Sequence, residues 1–279
     1  MRKLCGADKR KLGINIDRGV LWGVEAFARE VAAAGFDCVF TMGTDADHVD
    51  RVASLCRETG LAYESLHAPF SGINAMWFHD EAAEAMFAKL CRSVDLAAEY
   101  GVPIVVAHLS SRDDAPHVTD AGIENFTRFV AYAKGKGVAV AFENQRKLGN
   151  IAVLFELFEN DPSVGFCWDV GHEKCFAYGR EYMPLFGKRC IYTHIHDNHC
   201  VHEGDEHLLP FDGAIDYEKT ARRIAEAGYR GTLTLELALP ENPGDRYAEL
   251  TAREYAEKAF AAADRIRKLC EEADSECGC

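Results

Sequence analysis

Eight short apolar runs recur along the chain, at 11–16, 37–43, 62–68, 103–109, 138–144, 164–170, 190–197 and 232–238. They are rich in β-branched and aromatic residues and read as strands. Longer segments between them, at 20–35, 80–101, 119–137, 150–161, 216–228 and 245–273, carry apolar residues at helical spacing. Two of these stop on Gly35 and Gly101, a common helix terminator. The stretches after Asp45 and after His172 are less regular but have room for a helix. The repeat is roughly 35 residues long, the size of a βα unit. Eight such units predict an α/β fold, a single (β/α)8 TIM barrel over residues 1–279, with the active site at the C-terminal ends of the strands. The alternative is an open doubly wound sheet. That fold expects a glycine-rich phosphate turn after its first strand, and "GINIDRG" contains no G-x-G-x-x-G.

Alternation within the strands sorts their residues by face. Thr234 and Glu236 share one face, and the neighbouring leucines share the other. Ala139, Ala141 and Glu143 likewise lie on one side, small residues leading up to an acid. Both patterns fit a narrow barrel interior capped by a carboxylate. The strands end on or near His67, His108, Glu143, Asp169, His194 and Glu236. A charge in such a place is costly to bury unless it is paired or bound to a metal. Gly171 separates Asp169 from His172, so both side chains can turn into one mouth. A lone D-x-x-H is weak, because an aspartate there often caps the next helix. With Glu143, His194 and Glu236 it becomes a hard-oxygen and imidazole set, suited to Mn²⁺, Mg²⁺, Co²⁺ or Zn²⁺ and not to a thiolate site. His196 shares the face of His194 but lies roughly 6–7 Å further along. His194 is therefore read as the ligand and His196 as its support. Asp197 is read as an acceptor for the other N–H of His194.

The 279 residues are 48% apolar, enough for a sizeable core, and carry a formal net charge of -14. That charge argues against a nucleic-acid partner, which calls for a basic face. The eleven cysteines form no C-x-x-C pair and read as reduced thiols, many of them small core groups. The terminal "ECGC" reads as a frayed tail. No apolar stretch reaches the ~18 residues of a membrane span. The opening "MRKLCGADKRKLGINID" lacks the apolar core of a signal peptide, so a cytoplasmic location is expected. The long final helix leaves a homo-oligomer open.

In chain order, "LHAPFSGIN", "VVAHLS", "AFENQR", "WDVGH", "THIHDN", "GDEHLLPFDGAIDY" and "LELALP" resemble the xylose-isomerase-like barrel superfamily over nearly the whole chain. That superfamily holds sugar and sugar-phosphate isomerases and epimerases, inosose dehydratases and endonuclease IV. The resemblance to its ketose 3-epimerases implies one divalent ion held by Glu143, Asp169, His194 and Glu236, with His172 on the substrate. The expected ion is Mn²⁺ or Zn²⁺, with Mg²⁺ or Co²⁺ as alternatives. The resemblance to endonuclease IV adds His67, His108, Asp205 and His207 to the matching positions and leaves a multi-zinc site open. The acidic charge favours a sugar, sugar phosphate or polyol as the partner. Trp77, in the loop after His67, offers a flat apolar surface of the kind that packs on a sugar ring. Arg146 and Lys147, just after Glu143, are placed to meet a substrate phosphate on the loop face, with plain exposed surface as the commoner reading of such a pair. The loop that usually reads P-G-E-G is here Pro210-Phe211-Asp212-Gly213. The expected activity is a metal-dependent isomerase or epimerase that moves a proton beside a carbonyl through an enediolate, with Glu143 and Glu236 as its catalytic carboxylates. An inosose-dehydratase-like polyol lyase and an abasic-site DNA endonuclease are the alternatives.

Overall fold

The computed structural model describes residues 9–112 and 114–277. Cys5, Cys279 and the first eight residues of the basic opening segment lie outside them. Eight strands form within the eight apolar runs: β1 Leu12–Asn15, β2 Cys38–Met42, β3 Ala62–His67, β4 Ile104–Ala107, β5 Ala139–Glu143, β6 Val164–Asp169, β7 Cys190–His194 and β8 Leu233–Leu235. The helices are α1 Val24–Ala34, α2 Ala46–Thr59, α3 Glu81–Tyr100, α4 Asp120–Gly135, α5 Leu148–Leu157, α6 Val170–Phe176, α7 Met183–Phe186, α8 Tyr217–Ala227 and α9 Ala252–Cys277. The stretch after Asp45 becomes α2, and Asp45 caps it by accepting from the backbone of Asp47 and His48. The helix expected near His172 begins two residues earlier and contains it.

The final helix starts at Ala252, seven residues later than its apolar stripe predicts. Two local devices cause the delay. Asp245 accepts from the backbone N–H groups of Glu241 and Asn242, folding that segment into a turn. Thr251 and Glu254 then form a reciprocal capping box, each side chain accepting from the other's backbone N–H.

Parallel pairing runs β8-β1-β2-β3-β4-β5-β6-β7. The ring closes between β7 and β8, where Ile195 donates to the Thr234 carbonyl at 2.8 Å and Glu236 donates to the Ile195 carbonyl at 3.1 Å. The buried hydroxyl of Thr193 helps to hold this seam. It accepts from the Thr234 N–H at 3.2 Å and donates to the Thr232 carbonyl at 2.9 Å. Thr193→Val keeps the shape but leaves the Thr234 N–H without a partner. The expected cost is about 1–3 kcal/mol, read as a lower urea midpoint.

Strand faces follow the alternation. Val140 and Phe142 join the large core between sheet and helices, while Ala141 packs with Val106, Cys167 and Tyr192 inside the barrel. Leu233, Leu235 and Leu237 face outward in the same way, which leaves Thr234 and Glu236 pointing inward. The interior is thus a packed plug, and the polar strand ends stand on top of it. All nine cysteines among the described residues are free thiols. None of the described helices is long and apolar enough to cross a membrane.

Candidate metal centre

The six strand-end residues named from the sequence meet at one end of the barrel. Glu143, at the end of β5, is at their centre and is 1% exposed. Its Oε2 lies 3.0 Å from His67 Nε2, 3.1 Å from His108 Nε2 and 3.6 Å from His194 Nδ1. Its Oε1 lies 2.8 Å from His172 Nδ1. Glu236 Oε2 approaches the same His194 Nδ1 at 3.3 Å. Asp169 holds both roles open to it. Its Oδ1 caps α6 by accepting from the His172 N–H, and its Oδ2 stays buried without a hydrogen-bond partner.

Among the described residues, three groups of ligand atoms are each compact enough to surround an ion, with all atoms in a group within 4.8 Å of one another. One is Glu143, Asp169, His194 and Glu236. A second is His67, Glu143 and His194. The third is His172, His196, Asp205 and His207. The last gives His196 a place of its own: its Nε2 lies 3.2 Å from Asp169 Oδ1, and its ring stacks on His207, centroids 3.8 Å apart. Gly171 permits this, because a Cβ there would overlap the His196 ring. Asp197 is corrected. Its carboxylate accepts from the backbone N–H groups of Asn198, Phe211 and Ile215, and so fixes the loop that carries Asp205 and His207.

The residues fit a divalent cation on physical grounds. Buried polar atoms are normally hydrogen-bonded. Here Glu143 Oε1, Asp169 Oδ2 and both ring nitrogens of His194 and of His196 are buried without a hydrogen bond of good geometry, although Glu143 Oε1 and His194 Nδ1 face oppositely charged groups at 2.8 and 3.3 Å. His67 Nδ1 donates to the Ala68 carbonyl at 2.8 Å, which points the other ring nitrogen at the Glu143 carboxylate. A lone pair facing a carboxylate needs a proton or a cation between them.

The charges reinforce one another. Burial pushes the Glu143 carboxyl up, but His108, His172 and His194 outweigh it and hold it well below the ordinary range. Asp169 is lowered too, with burial outweighed mainly by His172 and His196. Burial lowers His172 and His194, yet the surrounding carboxylates win and raise both. His207 rises to about 10, its desolvation outweighed by Asp205 and Glu236. His108 goes the other way, lowered chiefly by burial.

A cavity of about 580 Å³ opens above this floor. His67, His108, His172, Asp205, His207 and Glu236 line it, while Glu143 lies beneath the imidazoles. Arg146 stands at the cavity as well. Trp77 does not. It is fully buried in a short 3-10 turn, donates its indole N–H to the Leu109 carbonyl and packs on Phe126. The aromatic surface at the mouth is Phe70, which is 38% exposed and stacked on His108 at 4.5 Å.

Two amides escaped the sequence reading. Asn144 pins Asp169 by bonding both its backbone N–H and its carbonyl. The Gln145 amide sits 2.9 Å from His172 Nδ1 and 3.2 Å from His108 Nε2. The only signal for them was position, directly after a strand-end acid.

A family model described as a xylose isomerase-like TIM barrel matches residues 28–258. An uncharacterized protein of Sinorhizobium fredii is 33% identical over 214 residues, which is 70% of this chain and 65% of that protein. The match therefore spans just under two thirds of that relative's length. Among solved structures, a xylose isomerase-like TIM barrel/4-hydroxyphenylpyruvate dioxygenase fusion protein superposes with a TM-score of 0.77 at 17% identity, over 97% of this chain and 45% of that one. A D-psicose 3-epimerase with D-tagatose, from Clostridium cellulolyticum H10, superposes with a TM-score of 0.70 at 15% identity, over 92% of this chain and 99% of that one. At such identities the structural likeness establishes the fold.

Proposed function

This chain belongs to the xylose isomerase-like TIM barrel family, and on that premise we propose that it is a divalent-metal-dependent sugar or sugar-phosphate isomerase or epimerase. The observation that carries the proposal is the convergence of Glu143, Asp169, His194 and Glu236, with unpartnered buried atoms among them, under a cavity of sugar size. The likeness to a D-psicose 3-epimerase supports the substrate class.

Glu143, Asp169, His194 and Glu236 would hold the cation. When bound, it supplies Lewis acidity toward a substrate carbonyl oxygen and its neighbouring hydroxyl. Glu236 opens on the cavity and takes the proton from the carbon beside the carbonyl. Isomerisation needs Glu236 alone. Epimerisation needs a second carboxylate to return the proton to the opposite face; Glu143, which meets the same His194 Nδ1 as Glu236, would have that task. His172 lines the cavity and holds a substrate oxygen. Phe70 offers its exposed face to the apolar side of the sugar, the role first expected of Trp77.

The test is exchange of a substrate C–H with solvent deuterium in the metal-loaded protein, followed by NMR over a panel of ketoses, aldoses and their phosphates. Exchange that stops in Glu236→Gln is the expected result. No exchange with any member of the panel would remove the reading. A second reading, metal-assisted hydrolysis of a phosphate ester, is favoured by the additional ligand groups around His67 and around His172. Two or three ions per chain together with cleavage of abasic-site DNA would select it.

A further inference from the structure

The four residues after Phe142 each tie the end of β5 to a different part of the rim. Glu143 meets the imidazoles, Asn144 pins Asp169, and Gln145 bridges His108 and His172. Arg146 completes the set. Its guanidinium lies over the Phe176 ring, 3.7 Å from the centroid. Its Nε and Nη2 meet Glu203 Oε1 and Oε2 at 2.9 and 2.6 Å, a two-pronged pair. This fork is the shape with which arginine grips a phosphate, and here a carboxylate of the protein already engages it.

The loop holds Glu203 there at a cost. Glu203 adopts a left-handed backbone with φ +62°, which is unfavourable for a residue with a side chain. Its N–H is tied to the Cys175 carbonyl at 3.3 Å, so the end of α6 fixes the backbone that aims the carboxylate. Among the described lining residues the other arginine, Arg112, is accompanied by the acids Asp114 and Asp205, and Asp205 also meets His172 and His207.

We infer that Glu203 makes the rim selective against anionic substrates: by engaging the Arg146 fork, it sets the site to take an uncharged sugar or polyol and to reject the corresponding phosphate ester. Rejection of the wrong partner by an occupied or repulsive group is a common source of specificity. The inference rests on the sugar-enzyme reading for its substrate, but the rim chemistry can be measured without turnover.

Inorganic phosphate is titrated into metal-loaded protein and followed by calorimetry, for the unmodified chain, Glu203→Gln and the double variant Glu203→Gln/Arg146→Met. The metal floor is common to all three, so differences report the rim. Glu203→Gln is expected to bind phosphate about 10-fold more tightly than the unmodified chain, and the double variant is expected to lose that gain. No gain in Glu203→Gln, or a gain that survives loss of Arg146, overturns the inference. In the deuterium exchange assay, the unmodified protein should favour ketoses over their phosphate esters by about 10-fold or more, and Glu203→Gln should narrow the ratio. A preference for the esters in the unmodified protein overturns the inference and leaves the isomerase reading standing. Absence of exchange with both counts against the isomerase reading alone, and the phosphate titration still decides the role of Glu203.

Discussion

Glu143→Gln is expected to lower kcat/KM by about 10³-fold or more and to strip the protein of its ion. The substitution changes almost no volume. It removes the one negative charge that His67, His108, His172 and His194 all approach. It also places an amide N–H₂ where those ring nitrogens need an acceptor or a shared cation. The strand itself should survive, because β5 is held by its neighbours and by outward-facing Val140 and Phe142. Steady-state kinetics and elemental analysis of the purified variant check both parts. Glu124→Gln serves as the control, since that exposed acid pairs with His79 and neither lines the cavity. Activity and metal content within twofold of the unmodified protein in Glu143→Gln would contradict the assignment.

Removing the ion from the unmodified chain is expected to lower Tm by about 10 °C. A ligand present at a thousand times its Kd stabilises by about 4 kcal/mol, and each kcal/mol moves Tm by about 2–4 °C in a domain of this size. The buried carboxylates and imidazoles are the reason for a sizeable effect. Without a cation, the imidazoles carry the balancing protons, which is why His172, His194 and His207 are raised. Ligation requires the His194 nitrogen to give up its proton, and the cation's charge disfavours the protons on its neighbours. Loading should therefore release protons to the buffer, and the stabilisation should shrink as pH falls and protons compete for the same lone pairs. Scanning calorimetry before and after chelation, repeated at two pH values, reads the shift. An unchanged Tm in protein shown to have lost its metal would count against a structural ion at this floor.

Where side chains alternate on a strand, the sequence was legible. Ala139-x-Ala141-x-Glu143 and Thr234-x-Glu236 announce an inward face that ends in a carboxylate, and both land at the centre. Loops carry no such period. Trp77 reads as a surface platform from composition alone, but a 3-10 turn folds it inward, where the Leu109 carbonyl satisfies its N–H. Spacing placed His196 on the face of His194 but not beside its partners Asp169 and His207, which come from other elements. Past the end of β7, long-range contacts decide. Asp197 grips a loop up to eighteen residues away, and this brings Asp205 and His207 beside His196. The start of α9 was present in the letters as Thr251-x-x-Glu254, yet the apolar stripe beginning near 245 masked it.

Residues from the ends of four separate strands are expected to share one cation. A crystal grown with Mn²⁺ or Zn²⁺ and measured across that metal's absorption edge tests it directly. An anomalous peak is expected about 2.0–2.3 Å from a ring nitrogen of His194 and from carboxylate oxygens of Glu143, Asp169 and Glu236. A fully loaded crystal with no peak among those four side chains would contradict it.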